Sequence, residues 1–415
     1  MSAQYPIEEV RSQFPALNRE YKGKKAIYLD GPGGSQVVQS VIAAMSGYME
    51  KGGANLHGQF PSSVETEEHI ANAREAIADL VGADPDEVAF GQNSTSLAFS
   101  IARSLSSLWS IDDNIVVTEM DHRANVDSWV TAATDKDLDV RFIPVDTASL
   151  TLDLSNLDKI ITDNTKLVAV TLASNAVGTI TDIEKITERA QEVGAIVVVD
   201  AVHAVPHFKI NRDEIGADIL LCSAYKFFGP HVGIAIIKKN LFEKLPVYKL
   251  NPAPTYIPDK LETGTQNHEA IAAIPAAIGF IASLGSGSTR REKLVNGYER
   301  IEEYENKLAR KLRKGLAAIP EVTLFQSGEA TPKTPTIAFV IDGFAPSEVC
   351  KWLANEHAIF IADGHFYAST LGDKLGVNKT GGWIRAGLAP YNSEEEIDLF
   401  LEAIQSLISM KLTIK

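Results

Sequence analysis

The sequence predicts an α/β fold, with a mostly parallel sheet in a large domain and a smaller α+β domain towards the carboxyl end. Three observations carry this reading. Continuously apolar, Val/Ile-rich runs of four to six residues recur through the first two thirds of the chain. Strands buried on both faces require such runs. Amphipathic runs alternate with them, which is the pattern of βαβ units. Beyond Gly285-Ser286-Gly287-Ser288 the composition shifts to a long, highly charged helical stretch.

Taken in order, the predicted strands are residues 115–118, 141–145, 167–172, 196–199, 219–222 and 234–237. Helical periodicity covers 66–81, 126–134 and 182–193 between them. An Ala-rich stretch at 270–285, broken by Pro275, reads as a buried helix, because a membrane span needs ~20 apolar residues. After it come a helix at 290–318, strands at 322–325 and 336–340, and helices at 347–357 and 393–410. The expected organisation is an amino-terminal segment at 1–20, a large domain at 21–285 and a small domain at 286–415.

Composition narrows the function. The 415 residues are 45% apolar and 22% charged, ordinary values for a globular chain and incompatible with disorder or collagen. The 54 acidic against 39 basic residues give a formal charge of −15, which speaks against nucleic-acid and anionic-membrane partners. Two cysteines, Cys222 and Cys350, are too few for a disulfide framework or a four-cysteine zinc site, and no metal is expected. The start, Met1-Ser2-Ala3-Gln4-Tyr5-Pro6, lacks the basic and apolar regions of a signal peptide. A cytoplasmic protein is the expectation.

The chemistry is concentrated in two strand ends. Ile196-Val197-Val198-Val199-Asp200 is a buried strand closing on a carboxylate, which places Asp200 at the edge where α/β sheets bind ligands. A later strand runs into Ser223-Ala224-Tyr225-Lys226-Phe227-Phe228, bringing a lysine to the same edge. Between aromatic neighbours Lys226 is partly desolvated, which favours the neutral amine and with it Schiff-base formation. A lysine facing a strand-end aspartate fits pyridoxal 5′-phosphate: Lys226 ties the cofactor, and Asp200 keeps its ring nitrogen protonated as an electron sink.

With these residues in place, the chain resembles the class V aminotransferase branch of the fold-type I pyridoxal-phosphate enzymes, nearest the cysteine-desulfurase-like proteins. The likeness runs from about Tyr28 to Leu407. It implies a seven-stranded type of sheet in the large domain. His122, in Asp121-His122-Arg123-Ala124-Asn125, resembles the residue that stacks on the cofactor ring. Ser94 and Thr95, leading into a helix after Gly91-Gln92-Asn93, resemble a phosphate site. Asn175 resembles the contact to the cofactor's phenolic oxygen, and His203 stands where desulfurases carry Gln. Tyr225 replaces their His beside the lysine, while Ser223 fits a phosphate role. Arg385, in Gly382-Trp383-Ile384-Arg385, resembles the arginine that clamps the substrate α-carboxylate. Thr265 falls in a loop that, in the family, crosses a homodimer interface to the neighbour's phosphate. The Gly-rich Tyr28-Leu29-Asp30-Gly31-Pro32-Gly33-Gly34 resembles the substrate side of the pocket.

One departure bears on function. Desulfurases carry sulfur as a persulfide on a mobile-loop cysteine, and Tyr367 occupies that position here. Cys222 and Cys350 both read as buried packing residues. The expectation is therefore a pyridoxal-phosphate enzyme acting on an α-amino acid, a Cβ (C–S) lyase or an aminotransferase without a persulfide relay. Racemisation, β-decarboxylation and a catalytically silent binding protein are the alternatives.

Overall fold

A computed structural model of the chain describes residues 4–414; the first three residues of the expected amino-terminal segment lie outside it. Seven strands form the large sheet: β1 (Val88–Gly91), β2 (Asn114–Thr118), β3 (Asp139–Ile143), β4 (Thr165–Thr171), β5 (Ile196–Asp200), β6 (Ile219–Ser223) and β7 (Gly233–Ile237). Their spatial order is β1-β7-β6-β5-β4-β2-β3. All neighbours are parallel except β7, which runs antiparallel to both β6 and β1. Strands β2 and β6 are buried at every residue, their apolar centres flanked by the buried polar Asn114, Thr118 and Ser223.

The smaller sheet holds β8 (Val322–Phe325), β9 (Thr336–Ile341), β10 (Ala362–Gly364) and β11 (Trp383–Gly387), all antiparallel in the order β8-β9-β11-β10. Helices that matter below are α1 (Gln39–Lys51), α2 (Pro61–Val81), α3 (Ser94–Ser106), α4 (Ala124–Thr134), α5 (His268–Ser283) and α6 (Arg290–Ala317). No helix among the described residues is long and apolar enough to cross a membrane.

Two differences from the sequence reading have physical causes. The run at 141–145 is not one strand. It ends at Ile143, because Pro144 has no N–H to continue the ladder, and Val145–Asp146 pairs instead with Thr151–Leu152. The seventh strand, β1, was not predicted: Val-Ala-Phe-Gly is short, and its burial comes from pairing with β7.

Apolar side chains gather on both faces of the large sheet and, separately, around the small one. Val10, Phe14 and Leu17 of the amino-terminal segment join the first of these cores. Ile27 and Leu29 pack instead with the small sheet, and Ile27–Tyr28 pairs in parallel with Ile359–Phe360. The chain therefore enters the large sheet by way of the small one, which carries the segment after Leu29 past both.

Candidate active site

A cavity of about 870 Å³ opens where the carboxyl ends of β4, β5 and β6 meet the small sheet. Ser94, Thr95, His122, Asn175, Asp200 and His203 line it from the large domain, with Tyr225 and Lys226 beside them. Tyr367 and Arg385 reach it from the small sheet. Ser223 does not face the cavity but touches it through Ser94, hydroxyl to hydroxyl at 3.1 Å. Thr265 is exposed in the loop before α5 and is not part of the cavity wall.

Lys226 closes a single 3₁₀ turn, Ala224–Lys226, at the end of β6. Its ammonium donates to the Pro32 carbonyl and stands 4.6 Å from the Tyr225 ring centroid. Burial, then the Arg385 charge, lowers its pKa to about 8. Asp200 ends β5, and its Oδ1 accepts from the Val202 N–H at 2.9 Å. Burial raises this carboxyl to about 6, with the Val202 hydrogen bond and Lys226 pulling the other way. A buried carboxylate held up by desolvation is relieved by an adjacent cation, and a protonated ring nitrogen is such a group.

His122 lies in the turn between β2 and α4. The Ala124 N–H donates to its Nδ1 at 3.0 Å, so the neutral ring carries its proton on Nε2. Burial, then the Lys226 charge, holds its pKa down to about 4, and the Tyr367 ring is tilted against it at 5.2 Å. Beneath that turn sits a group that sequence reasoning left without a role. Asp121 is fully buried and pushed up to about 7 by burial; it accepts from Asn125 Nδ2 at 2.6 Å and from the Thr118 hydroxyl. Trp129 Nε1 donates to Asn125 Oδ1 at 3.0 Å, so a ladder of buried polar groups fixes the turn that presents His122. The i, i+4 spacing of Asp121, Asn125 and Trp129 was the available signal.

The remaining residues frame the two ends. Asn93 caps α3 by accepting from the Ser96 N–H at 2.8 Å, which leaves Ser94 and Thr95 in the first turn, where free N–H groups favour an anion. A Cβ on Gly233 would lie 2.2 Å from the Asn93 carbonyl carbon, so glycine is what lets the helix start this close to the sheet. Arg385 is 3% exposed and lies under the Phe366 ring, its Cζ 3.7 Å from the centroid. Asn175 Nδ2 donates to the Phe366 carbonyl at 2.8 Å. His203 Nε2 lies 3.1 Å from the hydroxyls of both Thr334 and Thr336, so its pocket-side contact falls to the rest of the ring. Phe366 and Tyr367 both take left-handed φ, 51° and 59°, a conformation that costs non-glycine residues free energy and that turns the Tyr367 ring to the mouth. Tyr225 stacks on His231 at 4.7 Å.

These residues fit pyridoxal 5′-phosphate: an amine with a depressed pKa, a buried carboxylate in need of a cation, a neutral imidazole in the same cavity, and a helix start for a phosphate. Fold and pocket together are those of the fold-type I pyridoxal-phosphate enzymes.

Comparison with known proteins agrees. The family profile "Aminotransferase class-V" matches residues 27–400, and the chain belongs to the class V aminotransferase family. "Aminotransferase-like protein FGM3" of Gibberella zeae is 30% identical, over 98% of this chain and 100% of the relative. A cysteine desulfurase of Yersinia pseudotuberculosis is 29% identical over 97% of this chain and 98% of its own. The apo cysteine desulfurase from Thermococcus onnurineus superposes with a TM-score of 0.87, at 29% identity, covering 98% of this chain and 99% of that one. Escherichia coli CsdA, at 24% identity and a TM-score of 0.85 over 98% of this chain and 100% of that one, shows the shared fold. The chain is thus of the cysteine-desulfurase-like kind, and pyridoxal 5′-phosphate is its cofactor.

Proposed function

We propose that the protein acts on an α-amino acid as a Cβ (C–S) lyase or an aminotransferase, without carrying sulfur on a cysteine of its own. The observation that supports this most is the tyrosine at the cavity mouth. Tyr367 is 65% exposed there, whereas Cys222 and Cys350 are buried at 0% and 7% and line no part of the cavity. Burial raises both thiols far above the ordinary range, which removes the thiolate that a persulfide needs.

In this reading Arg385 holds the substrate carboxylate. Lys226, with a pKa near 8, takes and returns a proton at Cα close to neutral pH. His122 would stack on the cofactor ring, Asn175 and His203 would meet its phenolic oxygen, and Ser94, Thr95, Ser223 and Tyr225 would hold its phosphate. The bound cofactor supplies an electron sink for charge developing at Cα. The active unit is a homodimer in which Thr265 completes the neighbouring phosphate site. Thr265 is exposed and stands outside its own cavity wall, which suits a contact with a neighbouring site. A cytoplasmic location belongs to the same reading.

The test is incubation with L-cysteine, alkylation of thiols and persulfides, and peptide mass mapping. Sulfide released with no protein persulfide is the lyase outcome, and no sulfur released moves the reading to transamination, racemisation or β-decarboxylation. A stoichiometric, turnover-linked persulfide on Cys222 or Cys350 overturns it.

A further inference from the structure

Arg385 is held from three sides before any ligand arrives. One terminal nitrogen donates to the Asn175 carbonyl at 2.9 Å and the other to Asp30 Oδ1 at 3.1 Å. The Phe366 ring covers its face at 3.7 Å. Its Nε is buried and has no partner among the described residues. Asp30 is itself fixed by backbone. It bridges in parallel to Gly387, two residues beyond Arg385 on β11, and the Gly387 N–H donates to the Leu29 carbonyl at 2.8 Å. The approach is so close that a Cβ on Gly387 would fall 1.9 Å from Pro32 Cδ. The Asp30 carboxylate remains 40% exposed, facing the cavity.

We propose that Asp30 is the positioning residue of the carboxylate clamp, resting on the reading of Arg385 as that clamp. A guanidinium has five N–H donors, and Asp30 and Asn175 take one from each terminal nitrogen. Nε and one proton on each terminal nitrogen are left over, so a second carboxylate has donors to meet while Asp30 stays in place. With two anchors in the guanidinium plane and an aromatic ring across it, Arg385 keeps one orientation instead of searching several. A buried cation without a counter-ion is also costly, and Asp30 supplies that charge while the clamp is empty. In this proposal Asp30 acts through Arg385 and takes no part in the bond to be broken.

The experiment uses the cofactor-loaded protein and two probes, L-alanine and L-alaninamide, which differ only in the carboxylate. Binding is followed by the change in cofactor absorbance. Asp30→Ala is expected to raise the half-saturating concentration of L-alanine by about tenfold or more while moving that of L-alaninamide less than about threefold. Asp30→Asn, which keeps an acceptor at the same place, is expected to stay within about threefold of the parent for L-alanine. Unchanged or tighter L-alanine binding in Asp30→Ala, or equal losses for both probes, overturns the proposal. Arg385→Lys separates the two ideas: if it spares the L-alanine preference, or if the parent protein shows none, the clamp reading itself fails and Asp30 loses its role with it. Thermal midpoints and cofactor stoichiometry of each variant are measured alongside; if Asp30→Ala does not fold, Asp30→Asn decides, and a loss there that is equal for both probes overturns the proposal.

Discussion

The Ser223 hydroxyl at the end of β6 lies 3.1 Å from the Ser94 hydroxyl in the first turn of α3, across 129 positions of sequence. This contact ties the strand that delivers Lys226 to the helix start that favours a phosphate. In the proposed reading, this hydrogen bond helps hold the lysine anchor and the phosphate site in register.

Lys226 is the first point of test. Lys226→Ala is expected to lose the borohydride-reducible linkage to the cofactor and the visible colour of the purified protein. Mass mapping of the reduced protein checks the position. A linkage that survives on another lysine contradicts the assignment.

The acid–base behaviour of the same residue gives a second test. Its pKa is lowered to about 8 from the usual ~10.4, so the amine is protonated below pH 8 and neutral above it. Only the neutral amine attacks an aldehyde. Cofactor uptake by the apo protein is expected to accelerate as pH rises towards 8 and to level off beyond it. A rate still climbing tenfold per pH unit at pH 9 is incompatible with the depressed value.

Asp200→Ala is expected to leave a folded protein with weakened cofactor binding and turnover reduced by more than about tenfold, or about 1.4 kcal/mol of barrier. The carboxylate favours the protonated ring nitrogen, and the neutral ring is a poorer electron sink. Steady-state kinetics at saturating cofactor separates the two effects. A smaller loss removes the electron-sink role.

The shared site is tested by mixing chains. Lys226→Ala and Thr265→Ala homodimers are each impaired in the homodimer reading. Random pairing gives half heterodimers, each with one site free of both lesions, so about a quarter of parental activity returns on mixing. No recovery after verified subunit exchange contradicts a Thr265 contribution across the interface.

Much of this was legible in the sequence because the relevant physics is local. Continuous apolar runs fixed the buried strands β2, β4, β5, β6 and β7, and the same runs put Asp200 and Lys226 at strand ends, where the sheet edge opens. Helix periodicity and the charged stretch after Gly287 marked the change to the small sheet. The strand β1 and the break at Pro144 were harder. A four-residue strand gains its burial from its partner, and a proline's effect depends on which ladder it interrupts. Tertiary structure alone decided what depends on approach across long separations. It brought Asp30 to Arg385 and stacked Phe366 over the guanidinium. Thr334 and Thr336 were likewise drawn to His203. These contacts leave no periodic trace, because each joins side chains that lie far apart along the chain or on separate elements. Desolvation follows the same rule: the depressed Lys226 and His122 and the raised Asp200 and Asp121 owe their shifts first to burial, and burial belongs to the folded chain.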